Sequence, residues 1–266
     1  MSRVALLIPV YNNQDGLERS LASLTGEVPL DIVVVDDGST PPIRLPEVPP
    51  PHRAFLLRLE ENKGIEHALN HGLGWILERG YEYVARLDAG DVVLPGRFLK
   101  QVEFLEENPE YALVGGQVQF VGLDGKEVFR ERFPTEDAQI RRIMHARNCF
   151  IHPAVMVRAS ALKEVGLYSD RYKAVEDFEL FFRIMRRFKV ANLPDYVVKC
   201  EVNPGGISLS KRRKQVLGRL KVMLHYFDPR IKESWLGLVK SLLLLFTPVP
   251  VVQVLKRGLE GRRGWL

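Results

Sequence analysis

The chain has 266 residues, 46% of them hydrophobic, so it can bury one large core or two modest ones. Its two cysteines, Cys149 and Cys200, have neither the spacing of metal ligands nor the number that a disulfide framework needs, and they predict a reducing compartment. Residues 211–266 hold 13 Lys/Arg and 3 Asp/Glu whereas residues 1–210 hold 25 and 30, so a basic tail that indicates an anionic partner follows a mildly acidic body.

A βαβ unit is predicted at the start of the chain. The apolar run of residues 4–10 predicts a buried strand, and this start lacks the long apolar segment and cleavage site of a signal peptide. Leucines at helical spacing then predict a helix, capped by Asn13 or Asp15. The apolar run of residues 31–35 predicts a second strand, and two strands joined by one helix pair in parallel.

Strands and helices continue to alternate up to residue 210. Strands are predicted at 54–59, 83–87, 111–121, 126–132, 152–157 and 190–200, and helices at 64–78, 97–107, 136–146, in a short segment ending at 165, and from 176. The proline-rich residues 41–52 predict a surface loop, and Asp124-Gly125 predicts a hairpin turn. The predicted fold class is α/β, with a mostly parallel central sheet and flanking helices.

From Lys211 onward the sequence predicts basic, amphipathic helices. Residues 235–255 are apolar but are interrupted by Lys240, Pro248 and Pro250, and the uninterrupted part is shorter than the roughly 20 residues that span a bilayer. Two interpretations stay open: helices that lie in a membrane interface, or a helical hairpin packed on the body or on a second subunit. No nucleic-acid-binding motif accompanies the basic tail, so no nucleic acid is expected as a partner.

Acidic residues stand at the ends of three predicted elements. They are Asp36 and Asp37 after the second strand, Asp88 and Asp91 after the strand at 83–87, and Glu176 and Asp177 at the start of a late helix. Carboxylates at the carboxyl edge of an open α/β sheet suit a ribose or a hard cation such as Mg²⁺ or Mn²⁺. A carboxylate at a helix N-terminus stays ionised and can accept a proton from a hydroxyl. Together they predict group transfer from a nucleotide-activated donor.

Six short motifs occur in order within residues 3–210. They are Ile8-Pro9-Val10-Tyr11-Asn12, Val35-Asp36-Asp37-Gly38-Ser39, Glu61-Asn62-Lys63-Gly64, Ala85-Arg86-Leu87-Asp88-Ala89-Gly90-Asp91, His152-Pro153-Ala154-Val155-Met156 and Glu176-Asp177. In this order they resemble the motifs of the family 2 glycosyltransferases, inverting enzymes with the GT-A fold that use nucleotide sugars. The subset that the chain resembles most consists of bacterial enzymes that build lipopolysaccharide, capsule or exopolysaccharide.

The resemblance implies a domain organisation and residue roles. Residues 1–210 would form the GT-A catalytic domain, with the nucleotide sugar on residues 1–120 and the acceptor on residues 121–210, followed by the basic helices of residues 211–266. The implied nucleotide-side residues are Pro9, Tyr11, Asp37, Lys63, Arg86 and Asp88. Asp177 would be the catalytic base, with Glu176 and His152 on the acceptor side.

Structural alternatives accompany four of the motif residues. Asp177 can be no more than a carboxylate at a helix start. His152 can instead fix the turn before Pro153, and Arg86 can be paired with a nearby carboxylate. Asp36 can do no more than cap the turn that Gly38 permits.

The metal site departs from the family pattern. Asp88 would begin the DxD motif, whose third residue commonly supplies the direct ligand to Mn²⁺ or Mg²⁺, but here that position is Gly90. Three possibilities stay open: Asp91 substitutes as a ligand, Asp88 coordinates alone, or the dependence on a divalent metal is weak.

The resemblance implies transfer of a sugar from a nucleotide-diphosphate sugar to a hydroxyl of a glycan or lipid-linked acceptor. The basic tail predicts a cytoplasmic enzyme that is peripheral on the inner face of the plasma membrane. The C-terminal helices could also make an oligomer. A non-catalytic, nucleotide-sugar-binding homologue is the alternative that Gly90 leaves open. A nucleotidyltransferase is disfavoured, because residues 9–13 are not the Gly-rich, basic phosphate loop that such enzymes place after the first strand.

Overall fold

The structure, a computed structural model, describes residues 2–202 and 212–247. The strands are β1 Val4–Val10, β2 Leu30–Asp36, β3 Arg53–Arg58, β4 Tyr83–Arg86, β5 Val92–Val93, β6 Tyr111–Val121, β7 Glu127–Glu131, β8 Met156–Arg158 and β9 Lys189–Glu201. The helices are α1 Gln14–Ala22, α2 Ile65–Glu78, α3 Arg97–Glu107, α4 Asp137–Met144, α5 Ala159–Val165, α6 Glu176–Arg187, α7 Arg212–His225 and α8 Lys232–Phe246. Single 3₁₀ turns occupy His152–Ala154 and Asp170–Tyr172.

The strands of the described residues form one mixed sheet in the order β3-β2-β1-β4-β8-β6-β9-β5, with β7 beside β6. β1 pairs in parallel with β2 and β4, and β2 with β3, which confirms the predicted parallel start. Beyond β4 the directions mix: β8 runs antiparallel to both β4 and β6, whereas β6 and β9 are parallel. The sheet is less parallel than the sequence predicts. The β6–β7 hairpin reverses the chain, and of the later strands β8 runs antiparallel to β6 whereas β9 runs parallel to it.

Two local predictions differ from the structure. Residues 152–157, predicted as one strand, begin as a 3₁₀ turn and become a strand only at Met156. Pro153 explains the turn, since proline fixes φ and has no N–H to give to a ladder. Val92–Val93, where no strand is predicted, pairs with β9. A strand of two residues is too short to leave a periodic pattern in the sequence.

The sheet separates two hydrophobic cores. On one face α1 and α3 contribute buried residues that include Leu17, Leu21 and Phe98. On the other face α2, α4, α5 and α6 contribute a second set, which includes Leu69 and Phe181. Because helices cover both faces, the loops after the strands are left to form a binding edge.

The proline-rich loop after β2 is anchored at each end. Near its start, the buried carboxylate of Asp36 accepts a hydrogen bond from the backbone N–H of Ile43 at 3.1 Å. At its end, Nδ1 of buried His52 accepts from the N–H of Leu30 at 3.2 Å, and Nε2 lies 2.9 Å from the carbonyl oxygen of Thr25. The loop has no regular structure between these anchors, as predicted.

The predicted helical tail is present in the described residues as α7 and α8, which pack on each other. Ser241 Oγ of α8 lies 3.3 Å from Met223 Sδ of α7, and Glu233 pairs with Arg142 of α4 at 3.0 Å. The remaining residues of the predicted tail, together with residues 203–210, lie outside the described residues. Within the described part of the chain, no helix is both long and apolar enough to cross a membrane.

Candidate active site

Three loops meet where β1, β2 and β4 end. The backbone N–H of Asp37 donates to the carbonyl of Val10 at 2.9 Å, so the loop after β2 begins beside the end of β1. The side chain of Asn13, which caps α1, donates to the carbonyl of Ala89 at 2.9 Å. These bonds place the residues after β1 against both neighbouring loops. The sheet therefore brings the first, second and fourth sequence motifs to one edge, as the sequence predicts.

The adjacent carboxylates of Asp36 and Asp37 do different work. Asp36 is buried and accepts from the N–H of Ser39 at 2.9 Å and from that of Ile43, so it closes its own turn, as the structural alternative proposed. Asp37 accepts from the N–H groups of Lys63 and Gly64 at 2.9 and 3.0 Å. Burial raises the pKa of Asp37. Asp37 thus ties the second motif to the third.

Gly38 explains how closely these two motifs approach each other. Its φ is +71°, which L side chains rarely adopt, and a Cβ at this position would lie 2.3 Å from the carbonyl carbon of Glu61. Only glycine leaves room for that backbone.

The remaining nucleotide-side residues border the same edge. Pro9 is half-buried in β1 opposite Val35. Tyr11 is 51% exposed, and the side chain of Lys63 is exposed as well. A flat aromatic ring and a mobile cation are accessible groups that suit a nucleobase and a phosphate.

Arg86 is buried and holds Asp88. Its Nη2 donates to Asp88 Oδ1 at 2.6 Å, while Nη1 donates to the carbonyl of Leu7 at 2.6 Å. The side chain of Arg86 is 2% exposed, whereas that of Asp88 is 40% exposed. Arg86 therefore lies behind the site as the partner of a carboxylate, which was the structural alternative, and it presents Asp88 to the open edge.

His152 accepts a hydrogen bond from Arg86. Arg86 Nε donates to His152 Nε2 at 3.2 Å, and the hydroxyl of Tyr168 lies 2.6 Å from the same nitrogen. Since a guanidinium can only donate, Nε2 carries no proton. Burial, and then the charge of Arg86, lower the pKa of His152 well below its ordinary value, so the ring is neutral. With 9% of its surface exposed, His152 fits a structural part better than contact with an acceptor.

Tyr168 is the first member of a series of hydrogen-bonded side chains that the sequence did not reveal. The series runs from Tyr168 through His152 and Arg86 to Asp88. The side chain of Asn70 holds the backbone of Tyr168 in two bonds of 2.9 and 2.8 Å. Burial raises the pKa of Tyr168, so its hydroxyl stays protonated and can donate.

Asp88 and Asp91 have different surroundings. Asp91 is 7% exposed and its Oδ1 accepts from the N–H of Glu201 at 2.9 Å, so it fastens the end of β9. Burial, and then the charge of Asp88, raise the pKa of Asp91. Beside Gly90 lies the ion pair of Arg19 and Glu201, which meet at 2.8 Å.

The donor atoms around Asp88 fit a cation with few protein ligands. Among the described residues no three His, Cys, Asp or Glu side chains converge as a metal cluster. Asp88 keeps one oxygen, Oδ2, outside its bond to Arg86. Mg²⁺ is commonly bound by one or two carboxylates together with substrate phosphates, and Asp88 fits that arrangement.

Glu176 and Asp177 stand in the first turn of α6. Asn148 Nδ2 donates to Asp177 Oδ2 at 3.2 Å. Burial raises the pKa of Asp177, with the charge of Asp88 a smaller cause. Glu176 is buried, its Oε2 has no hydrogen-bond partner among the described residues, and burial followed by the charge of Asp177 raises its pKa.

Helix α6 packs beside the residues that hold Asp88, since the ring of its Phe181 lies 6.2 Å from that of His152, which bonds to Arg86. The structure thus brings the fourth and sixth motifs together. Asn148 and the buried Glu66 of α2, whose charge also raises the pKa of Glu176, are further members that the sequence did not reveal. The arrangement can bind a divalent cation at Asp88 and accept a proton at Asp177.

Comparison with known proteins identifies relatives in sequence and in fold. Residues 5–166 match the model of the family described as "Glycosyl transferase family 2". The chain is 32% identical over 270 residues to the amylovoran biosynthesis glycosyltransferase AmsE of Erwinia amylovora, covering 94% of this chain and 97% of that protein.

Two solved structures share the fold. S. aureus TarS 1-349 in complex with UDP-GlcNAc superposes with a TM-score of 0.65 at 18% identity, covering 92% of this chain and 73% of that one. The mannosyltransferase PcManGT of Pyrobaculum calidifontis in complex with GDP-Man and Mn²⁺ gives a TM-score of 0.61 at 17% identity, covering 99% and 76%. The GT-A fold expected from the motifs is thereby confirmed.

Proposed function

Because the chain belongs to glycosyl transferase family 2, we propose that it transfers a sugar, with inversion at the anomeric carbon, from a nucleotide-diphosphate sugar to a hydroxyl of a glycan or lipid-linked acceptor. The name of AmsE supports a place in bacterial polysaccharide synthesis. The observation that carries the proposal is the carboxylate of Asp177, held by Asn148 in the first turn of α6, a helix that packs on His152 through Phe181.

The chemistry follows from the position of Asp177. Its carboxylate accepts the proton of the acceptor hydroxyl while the hydroxyl oxygen bonds to the anomeric carbon. The bond from that carbon to the diphosphate breaks on the opposite face, and the diphosphate leaves with the electron pair. Attack and departure on opposite faces invert the configuration. The raised pKa of Asp177 makes it a stronger proton acceptor than an ordinary aspartate.

The other residues bind and orient the donor. We assign the nucleotide side to the four residues that border the edge, which are Pro9, Tyr11, Asp37 and Lys63. A divalent cation, when bound, would neutralise the charge that develops on the leaving diphosphate. Asp88 would be the one carboxylate that holds the cation, because Asp91 already accepts from the backbone N–H of Glu201 in β9. The Mn²⁺ complex of PcManGT supports a role for a divalent cation. Glu176 would line the acceptor side of the base.

A non-catalytic nucleotide-sugar-binding protein is the second candidate, and Gly90 is the observation in its favour. One experiment separates the two. Calorimetry against a panel of nucleotide sugars, with Mn²⁺ and with chelator, identifies the donor. Release of nucleoside diphosphate from that donor is then followed with lipid-linked and free glycan acceptors, for the wild type and Asp177→Asn. Transfer that depends on Asp177 supports the enzyme, whereas donor binding without transfer to any acceptor supports the second candidate.

A further inference from the structure

Helix α8 packs on the body through its smallest residues. Ser234, Gly237 and Ser241 are its buried positions. Ser234 Oγ lies 2.9 Å from Nδ1 of His145, and a Cβ on Gly237 would lie 2.1 Å from the carbonyl oxygen of His145. The helix is therefore fixed in rotation, because no larger residue fits at its contact with α4.

The opposite side of α8 exposes its large apolar residues. We name this set the outer face of α8; it consists of Trp235, Leu236, Val239, Leu242, Leu243 and Phe246. The exposed fractions of these residues run from 46% to 85%. At 3.6 residues per turn they fall within an arc of about 120°, roughly a third of the circumference. A helix at the surface of a globular protein turns such a stripe toward the core, and α8 does the reverse.

The charges around the outer face are basic. Both acidic residues of the hairpin are neutralised, Asp228 by Arg230 at 2.8 Å and Glu233 by Arg142 at 3.0 Å. Besides these two ion pairs, α7 and α8 expose four cations, which are Arg213, Lys214, Lys221 and Lys232. An apolar stripe on a basic hairpin is complementary to anionic lipid, whose head groups are negative and whose acyl chains are apolar.

We propose that the outer face of α8 is a membrane-binding surface that lies flat in the interface of an anionic bilayer. A spanning segment needs about 20 predominantly apolar residues. Helix α8 has 15 residues, and no helix in the described part of the chain is long and apolar enough to cross a membrane. A second copy of the chain is the rival occupant. It would bring two basic hairpins together, and like charges across an interface oppose association. Trp235, at one end of the stripe, is a residue type enriched at membrane surfaces.

The test is flotation of the full chain with vesicles of phosphatidylcholine, prepared with and without phosphatidylglycerol. The wild type should bind the anionic vesicles and be released by high salt. The double variant Leu243→Glu/Phe246→Glu should lose about tenfold or more of its vesicle affinity, since it charges the middle and the end of the stripe. Leu123→Glu is the matched control, because Leu123 is 66% exposed but lies in the β6–β7 turn; its binding should equal that of the wild type.

Thermal unfolding of each variant shows whether it folds, and Trp235→Ser is a second, milder change on the same face. The proposal would be overturned if the wild type did not bind the anionic vesicles, or if the outer-face variants bound them with wild-type affinity. Equal binding to vesicles with and without phosphatidylglycerol would overturn it as well. If light scattering shows a wild-type dimer that Leu243→Glu/Phe246→Glu converts to monomer, while neither binds vesicles, the face belongs to a second copy. Donor affinity, measured by calorimetry, is independent of these outcomes.

Discussion

Asn148 Nδ2 lies 3.2 Å from Asp177 Oδ2, although the two residues are 29 positions apart in the sequence. The bond fixes the direction of one carboxylate oxygen at the start of α6. The backbone N–H groups of Phe178 and of Asp177 itself also stabilise the charged carboxylate, which in the proposed mechanism accepts the proton of an acceptor hydroxyl. The pair therefore provides the most direct tests of the proposed chemistry.

Asp177→Asn should bind the donor like the wild type but lose about 10²–10⁴-fold in kcat. Asparagine keeps the size of the side chain and an oxygen for Asn148, yet it cannot accept a proton. Nucleoside diphosphate release measures turnover, and calorimetry measures donor affinity. Wild-type turnover in this variant would remove Asp177 from the mechanism.

The acid limb of the pH profile should report Asp177. Burial raises its pKa to about 6, and only the deprotonated form can act as base, so kcat/KM should fall as the pH drops through about 6. The Asn148 N–H lowers that pKa by donating to the carboxylate. Asn148→Ala should therefore move the limb to higher pH.

Asn108→Ala is the control for this shift, since the Asn108 side chain donates to the carbonyl of Phe104 at the end of α3. Its limb should coincide with that of the wild type. An unmoved limb in Asn148→Ala would mean that another group titrates.

Asp88→Ala should abolish the part of donor affinity that depends on a divalent cation. The reason is that Asp88 is the exposed carboxylate of its loop. Asp91→Asn should keep that part, because asparagine retains an oxygen that can accept from the Glu201 N–H. Calorimetry with Mn²⁺ and with chelator compares the two variants. If Asp91→Asn is the one that loses the metal effect, Asp91 is the ligand that replaces the missing aspartate.

Gly90→Ala should lower the free energy of unfolding by about 1–3 kcal/mol, because Gly90 has a φ of +113° that L residues rarely adopt. Gly74→Ala is the opposite case. Gly74 lies inside α2, a Cβ there meets nothing within 4 Å, and the change should stabilise by about 0.5–1 kcal/mol. Urea unfolding measures both. A neutral Gly90→Ala would show that the backbone relaxes without glycine.

The elements that place Asp88 and Asp177 could be predicted from local pattern. Apolar runs mark β1 and β2 because strands covered by helices on both faces are apolar throughout, and leucines at helical spacing mark α1. The acidic residues stand out because they follow an apolar run directly or open a helix. These are short-range signals, and a single sequence carries them in full.

The contacts that orient the carboxylates could not be predicted in the same way. Tyr168 belongs to no periodic pattern, and its position depends on Asn70, 98 residues earlier. The rotation of α8 is equally non-local: composition shows an apolar helix, but the carbonyl of His145 against Gly237 decides which side is outward. Such choices arise from packing between distant segments.

The two anchors of the loop after β2 have a consequence for protein engineering. Asp36 fixes its beginning through Ile43, and His52 fixes its end through Leu30 and Thr25. Closing a longer surface loop costs little extra entropy. The exposed stretch around Glu47 and Pro49 is therefore a place where an epitope or a fluorescent label can be inserted while the strand ends, and the carboxylates they carry, keep their positions.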